Sequence, residues 1–568
     1  MNAATAFAEV LVDELIRSGL RHAVICPGSR SAPVALALAA AEADGRIELR
    51  VHFDERSAGF LALGMAKVSG LPTAVLTTSG TATANLLPAV VEASYSCIPL
   101  VVLTADRPPE LRGVGANQTI DQAHLYGNFV RHYVEIGVPE DRGGQQSEWR
   151  ATVSRVAIES LGHGGAAAGP VHVNMPFRPP LVPDGTRSWH EPLQGREGGQ
   201  PWTVAAALHD SAEVADFGDR TLVIVGDAPL GAGQRAVRLA EENGWPVISE
   251  PSGNAARGPH ALSTGGWLLA NDGFWQASKP SDILVVGRPT LSRAATSALG
   301  DGDVRVSVVA QDRAWADAAA NVQRVFTRLP ALERSHTSGS WLAHWQAAES
   351  KARQALDAVL GANPRSEQAV VRDMRAAMPP DALLIAGSSL PVRHLFLCAT
   401  ADEGATTIAN RGAAGIDGTV STSVGAASAW QSTGGGKAVA LLGDLTFAHD
   451  SNGLAVQQTE RPQLTVVVLN NDGGGIFELL EPAEAVPRPT FERVFAASSG
   501  VDVAALAGAH HVPYLRCSDG KEIAAAALDP RTDLQVVEVR CERRETANIH
   551  SELRNAVNLA LKEATDGA

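Results

Sequence analysis

Short apolar runs alternate with stretches of helical spacing along most of the chain, in three blocks. In the first, residues 23–26, 48–53, 73–77 and 100–104 read as buried strands, with helical patterns at 57–69 and 81–94 between them. The second block has strand-like runs at 221–225, 246–249, 283–286 and 304–309. A helical stretch at 340–360 leads through 361–365 into the third, with runs at 382–386, 406–409, 438–442, 464–469 and 535–539. Apolar runs this short, separated by helices, predict an α/β protein of doubly wound, mainly parallel sheets whose functional loops follow the strand C-termini. Residues 185–201, polar and rich in Gly and Pro without periodicity, read as a linker. Three domains are expected, at 1–185, 200–345 and 360–568. The first and third share a pattern without a close sequence repeat.

The stretch 438–480 organises the third block. One apolar run ends in Gly443-Asp444, and the next ends in Asn470-Asn471-Asp472-Gly473-Gly474-Gly475. Asp444 and Asn471 can supply hard oxygen ligands from two strand ends, and the glycines let a backbone carbonyl turn inward, a set that suits magnesium and a phosphate group. Either piece alone is an ordinary strand end or turn. Together they resemble the thiamin diphosphate signature, a GD-led motif ending in a double Asn, with Leu445 where that superfamily most often has Gly.

At 568 residues the chain is too long for one core. A hydrophobic fraction of 45%, few aromatics and a charged fraction of 19% fit packed βα units. The net charge of −15 argues against nucleic acid or an anionic membrane as partner, so affinity for anionic substrates must come from arginines gathered locally. Cys26, Cys97, Cys398, Cys517 and Cys541 are scattered, with no CxxC spacing, and read as reduced, mostly buried thiols. The N-terminus reads as an acidic amphipathic helix rather than a targeting signal, and no apolar run is long enough to span a bilayer. A cytoplasmic protein is expected.

Thiamin diphosphate chemistry needs a carboxyl on the pyrimidine ring as well as a metal for the diphosphate. Glu55, after a strand and at the start of a helix, is the candidate; the plainer alternative is a carboxylate complementing the helix dipole. The Gly226–Gly231 loop of the second block does not fit GxGxxG and reads as a structural turn.

The blocks CPGSRSAP, HFDERSAGFLALGMAK, TTSGTATANLLPAVVEA, LTADRPPEL, GANQTIDQ, NRGAAGIDGTVST, GDLTF and NNDGGGIF occur in this order across the chain. Together they resemble the MenD family, the thiamin diphosphate-dependent SEPHCHC synthases of menaquinone biosynthesis, in which Leu after GD is itself a family feature. The resemblance implies a thiamin diphosphate-binding fold of pyrimidine, central and diphosphate domains. It implies decarboxylation of 2-oxoglutarate on the cofactor and addition of the succinyl carbanion equivalent to isochorismate. Glu55 would be the pyrimidine-activating carboxyl. Asp444, Asn471 and the Gly473 carbonyl would hold Mg2+ or Mn2+. Ser389, Leu445 and Thr446 would line the cofactor, with Ile416 as the apolar wedge that bends it. Glu55 and the metal residues come from different subunits in that superfamily, which implies a homodimer or homotetramer.

Dicarboxylate substrates suit arginine forks. The resemblance implies Arg30, Arg107, Arg293, Arg393 and Arg411 as substrate-binding cations, with Asn117 and Gln118 to bond substrate oxygens and Ile476 and Phe477 on the apolar side. Ser292 departs from relatives that carry a second basic residue there. The pair His510-His511 reads as structural, and Arg112 and Arg288 are candidate anchors for a regulatory ligand. The competing readings are an acetohydroxyacid synthase-like carboligase, often with flavin in the middle domain, and a non-catalytic cofactor-binding homologue.

Overall fold

A computed structural model describes residues 1–163, 166–186, 188–205, 213–310, 315–333, 339–401, 404–498, 500–529 and 531–565. The chain divides into two compact units, one of Met1–His209, Arg411–Gly434 and Asp450–Pro462, the other of Asp210–Asn410, Gly435–His449 and Gln463–Ala568.

The first unit is built on a parallel sheet of β1 (His22–Ile25), β2 (Glu48–Val51), β3 (Thr73–Thr77), β4 (Leu100–Asp106), β5 (His132–Glu135) and β6 (Val171–Pro176), in the order β2-β1-β3-β4-β6-β5. The order reverses between β1 and β3, and a crevice opens at such a switch point beyond the strand C-termini. Those termini carry the loops of Arg30 and of Ser79, which touch: a Cβ on Gly28 would lie 2.4 Å from Thr78 Cβ.

The second unit holds two larger parallel sheets and the short parallel pair β7 (Val214–Ala215) and β13 (Ala331–Leu332). Strands β8 (Thr221–Val225), β9 (Val247–Ser249), β10 (Asp282–Val286), β11 (Arg305–Val309) and β12 (Val322–Phe326) run in the order β12-β11-β10-β8-β9. Strands β14 (Leu383–Ala386), β15 (Thr406–Ile408), β16 (Ala438–Gly443), β17 (Leu464–Asn470), β18 (Tyr514–Cys517) and β19 (Leu534–Arg540) run in the order β15-β14-β16-β17-β19-β18. One buried cluster joins Leu222 and Ile283 of the middle sheet to Trp267, Trp345, Phe396 and Leu553 on helices, and another holds Leu384, Leu441 and Val537 of the third sheet. The third sheet's switch point lies between β14 and β16, which end at the Ser389 loop and at Asp444. In the middle sheet the equivalent point, between β8 and β10, is closed by backbone. Asp227 and Arg288 exchange both N–H···O bonds at 2.9 Å, and Gly226 has no room for a Cβ because Arg288 would lie 2.1 Å from it. The Gly226 loop is therefore filled by its own neighbour, as a structural turn requires.

Several elements differ from the pattern. The expected helix at 81–94 is two, Thr81–Ala84 and Leu87–Tyr95, because Pro88 has no N–H to continue the first and suits the opening turn of the second. The N-terminal helix Ala3–Arg17 is buried on most faces, and its Glu14 is fully enclosed with Arg150 at 2.6 Å and Ser154 at 2.7 Å. Strands β5, β6, β12 and β18 are not evident in the apolar pattern. The described residues of 185–201 are irregular apart from the turn Glu197–Gly199 but are fastened down: Arg150 donates to the Leu193 carbonyl and Arg17 to that of Arg196. All five cysteines are free; Cys26 and Cys398 are buried and the other three half-buried, fewer than expected. No helix among the described residues is long and apolar enough to cross a membrane.

Within the first unit, the helices Glu55–Ser69 and Thr419–Ser432 cross at glycines. A Cβ on Gly64 would lie 2.1 Å from the Thr422 carbonyl oxygen, and one on Gly425 2.0 Å from that of Leu61. Intrinsic helix propensity favours Gly64→Ala by up to about 1 kcal/mol, whereas the crossing opposes it by roughly 2–3 kcal/mol because backbone must move. The G64A variant is therefore expected to lower the thermal unfolding midpoint; an unchanged or raised midpoint would show that the crossing is loose.

Candidate active site

Glu55 opens the helix Glu55–Ser69, and its turn is held from several sides. Asp54 caps the helix by accepting from the Ser57 N–H at 3.2 Å. The Asn452 side chain donates to the other Asp54 oxygen at 2.8 Å, and the His52 ring reaches the Asn452 carbonyl at 3.2 Å. Asp450, fully buried, accepts from the Ser421 N–H at 2.7 Å and its hydroxyl at 3.0 Å, and the Arg56 guanidinium lies 3.9 Å away. Glu55 itself is half-buried. Burial, and then the negative charges of Glu55 and Asp54, push the Cys26 thiol up, which puts both carboxylates near the end of β1.

At the β1/β3 switch point the structure gathers Arg30, Arg107 and Gln118. Arg107 donates to Ser79 Oγ at 2.7 Å, Ser79 donates to the Gln118 carbonyl at 2.9 Å, and the Gln118 amide returns a bond to the Ser79 carbonyl at 2.9 Å. Arg30 is anchored on the Phe177 carbonyl at 2.7 Å. Burial, followed by the positive charge of Arg107, lowers the Arg30 guanidinium pKa, so the two cations share one neighbourhood. Such a pair favours an anion carrying carboxylates. Asn117 and Gln118 are exposed. Arg411 is buried in this unit, and Ile416 is half-buried on the same loop. Arg112 is engaged by Asp106 and Glu135, each at 2.9 Å.

The second unit brings the double-Asn loop against Asp444. Asp444 accepts the Gly473 N–H at 2.7 Å. Burial raises its pKa to about 6, with the Gly473 N–H pulling the other way; a cation at the carboxylate would draw it back down. Gly473 has φ +126°, and a Cβ there would lie 2.2 Å from the Ala496 carbonyl oxygen, so only glycine makes this turn. The two asparagines do different work. Asn470 is tied to Glu538 at 2.6 Å. Asn471 donates its Nδ2 to Glu367 at 2.8 Å, and because a carboxylate accepts, the amide orientation is fixed. Its Oδ1 is then left buried with no donor, which suits an oxygen reserved for a cation. Leu445 and Thr446 follow Asp444 in the helix Asp444–His449. Ser389, at φ +76°, starts the helix Leu390–Cys398, and its carbonyl accepts from Arg393 at 2.8 Å. Leu390 reaches this loop, since a Cβ on Gly475 would lie 3.1 Å from Leu390 Cδ1 and 2.6 Å from Asn471 Nδ2. Ile476 and Phe477 are half-buried, and the Phe477 and Phe495 rings sit 5.7 Å apart.

Arg293 is exposed at the start of the helix Arg293–Leu299, where Ser292 is the N-cap, and no described contact ties it to the other candidates. His510 and His511 close the helix Val503–Ala509, His511 with φ +53°. Ser79, Glu367 and Asp450 were not among the sequence candidates. Ser79 lies in a loop the strand pattern marks, whereas the two acids sit in helical or turn sequence and carry no local signal.

Two family models match the chain: the N-terminal TPP binding domain of thiamine pyrophosphate enzymes at residues 5–125, and their C-terminal TPP binding domain at 396–537. Curated relatives named 2-succinyl-5-enolpyruvyl-6-hydroxy-3-cyclohexene-1-carboxylate synthase align over nearly the full length of both chains. That of Saccharopolyspora erythraea is 47% identical over 99% of this chain and 100% of its own. The Thermobifida fusca protein is 45% identical over 99% and 100%, and that of Nocardia farcinica 43% identical over 98% and 99%.

Glu367→Ala removes the acceptor that fixes the Asn471 amide. Supporting groups of this kind are worth about 10–100-fold in metal affinity. Titration with Mg2+ or Mn2+ should show E367A binding at least about tenfold more weakly; unchanged affinity would separate Glu367 from the site.

Proposed function

The chain belongs to the family of thiamin diphosphate-dependent 2-succinyl-5-enolpyruvyl-6-hydroxy-3-cyclohexene-1-carboxylate synthases, and on that premise we propose that it decarboxylates 2-oxoglutarate and adds the succinyl unit to isochorismate. The observation that carries the reading is the Asn471 amide, locked by Glu367 with its Oδ1 buried and free of donors, beside Asp444 and Gly473. Asp444, Asn471 and the Gly473 carbonyl are assigned to magnesium, which prefers oxygen donors and keeps waters and phosphate in its shell. When bound, thiamin diphosphate supplies the carbanion chemistry of decarboxylation and carbon–carbon bond formation.

The protein's own residues do the rest. Glu55 would hold a proton at the pyrimidine ring nitrogen of the bound cofactor, a task that needs a carboxyl fixed in place, and the Asp54 and Asn452 contacts fix its turn. Ile416 would supply an apolar support for the cofactor, and Ser389, Leu445 and Thr446 would help to hold it. Arg30 and Arg107, close enough to affect each other, bind substrate carboxylates, with Arg293, Arg393 and Arg411 as further anchors. Asn117 and Gln118 bond substrate oxygens, while Ile476 and Phe477 exclude water from the apolar side.

Three domains are assigned to 1–185, 200–345 and 360–568, a division supported by the one large parallel sheet in each range. The protein is assigned to the cytoplasm, in line with five free thiols. It works as a homodimer or homotetramer in which Glu55 of one subunit serves the metal residues of another.

Purified protein with both substrates, thiamin diphosphate and magnesium should consume isochorismate; no consumption would reject the substrates. Glu55→Gln should keep cofactor binding, read by calorimetry, and lose about 10²–10⁴-fold in kcat, and retained turnover would remove Glu55 from the chemistry. Light scattering should give the mass of two or four chains, and a lone chain would contradict the shared site.

A further inference from the structure

Glu92 lies on the helix Leu87–Tyr95, is 3% exposed, and spends both carboxylate oxygens on a loop more than three hundred positions away in sequence. Its Oε1 accepts the Gly412 N–H at 2.7 Å and the Ser96 hydroxyl at 2.7 Å. Its Oε2 accepts the Ala413 N–H at 2.6 Å and the Ala414 N–H at 3.4 Å. Three successive N–H groups converging on one carboxylate form a nest. The loop and the helix are also in direct backbone contact: a Cβ on Gly412 would lie 2.5 Å from the Glu92 carbonyl oxygen. Ala414 has φ +59°, a left-handed conformation that costs energy in a residue with a Cβ and persists only where its surroundings over-determine it.

The clamped segment is flanked by the two residues of this loop that the proposed function uses, buried Arg411 on one side and Ile416 on the other. We propose that Glu92 is a positioning residue of the reaction, holding residues 412–414 in a strained conformation that sets Arg411 for a substrate carboxylate and Ile416 for the cofactor. This rests on the reading of Arg411 and Ile416 given above. Glu92 touches neither substrate nor cofactor and acts only through the loop backbone. Gln has the shape of Glu but one amide nitrogen in place of an acceptor, so one edge of the nest would face a donor with a donor.

The test is calorimetric titration of the full-length protein with thiamin diphosphate and Mg2+, together with steady-state kinetics. Glu92→Gln should weaken cofactor binding and raise KM for 2-oxoglutarate, each by about tenfold, the scale of a supporting hydrogen bond at a site, with a smaller change in kcat. Ala414→Gly relaxes the strained position and, added to E92Q, should recover at least half of the lost affinity on a logarithmic scale. Wild-type affinity and KM in E92Q, or a double variant no better than E92Q, would overturn the proposal. If E92Q does not fold, Ser96→Ala, which removes only the hydroxyl on Glu92 Oε1, should still lower cofactor affinity measurably; unchanged affinity there overturns it equally. A wild-type protein that binds cofactor but does not consume isochorismate would reject the assigned substrates, while the substrate-free titration still judges Glu92.

Discussion

A loop that leaves a parallel strand to hold a ligand takes its backbone N–H groups out of the sheet, and where the loop is buried each needs another acceptor. This chain meets that need repeatedly with enclosed carboxylates. Glu92 takes three N–H groups of the 412–414 loop and Asp444 takes that of Gly473, while Asp450 takes that of Ser421 in the first turn of the helix Thr419–Ser432. Glu250 takes those of Thr290 and Leu291, each at 2.7 Å. A carboxylate is suited to this because it only accepts and offers two oxygens to a converging set of donors. The loops are therefore shaped by acids supplied from other elements as well as by their own sequence, as at Gly473.

The same accounting separates the three switch points. In the middle sheet the loops after β8 and β10 pair with each other through backbone at Asp227 and Arg288, and Glu250 takes two further N–H groups of the second. In the first sheet the Arg107 guanidinium donates to Ser79 in the loop after β3, and in the third the Asn471 Oδ1 is left buried without a donor.

Much of the architecture was legible in the chain. Strands buried on both faces are continuous apolar runs, so β3, β8, β14, β16 and β17 stand within a residue or so of their expected places. Strands β5 and β12 were not legible because their residues are half-exposed and mixed in character. The break in the 81–94 helix was encoded in Pro88, and the enclosure of the N-terminal helix was not, because Glu14 gives it a polar face only until Arg150 arrives to cover it.

For the site, the sequence alone determined the chemistry on offer: a carboxyl at Glu55, oxygens at Asp444 and Asn471, glycines that permit the Gly473 turn, and arginines at strand ends. Those follow from residue type and from the rule that strand C-termini carry the loops, both local properties. Tertiary structure decided which of them work together. It brought Arg30 near Arg107 in a partly buried setting, left Arg293 exposed, and fixed which way the Asn471 amide points. It also chose Glu92 and Glu367 as supports. Each lies on a helix remote in sequence from the group it holds, and a hydrogen bond between distant segments has no periodicity or spacing by which the chain could announce it.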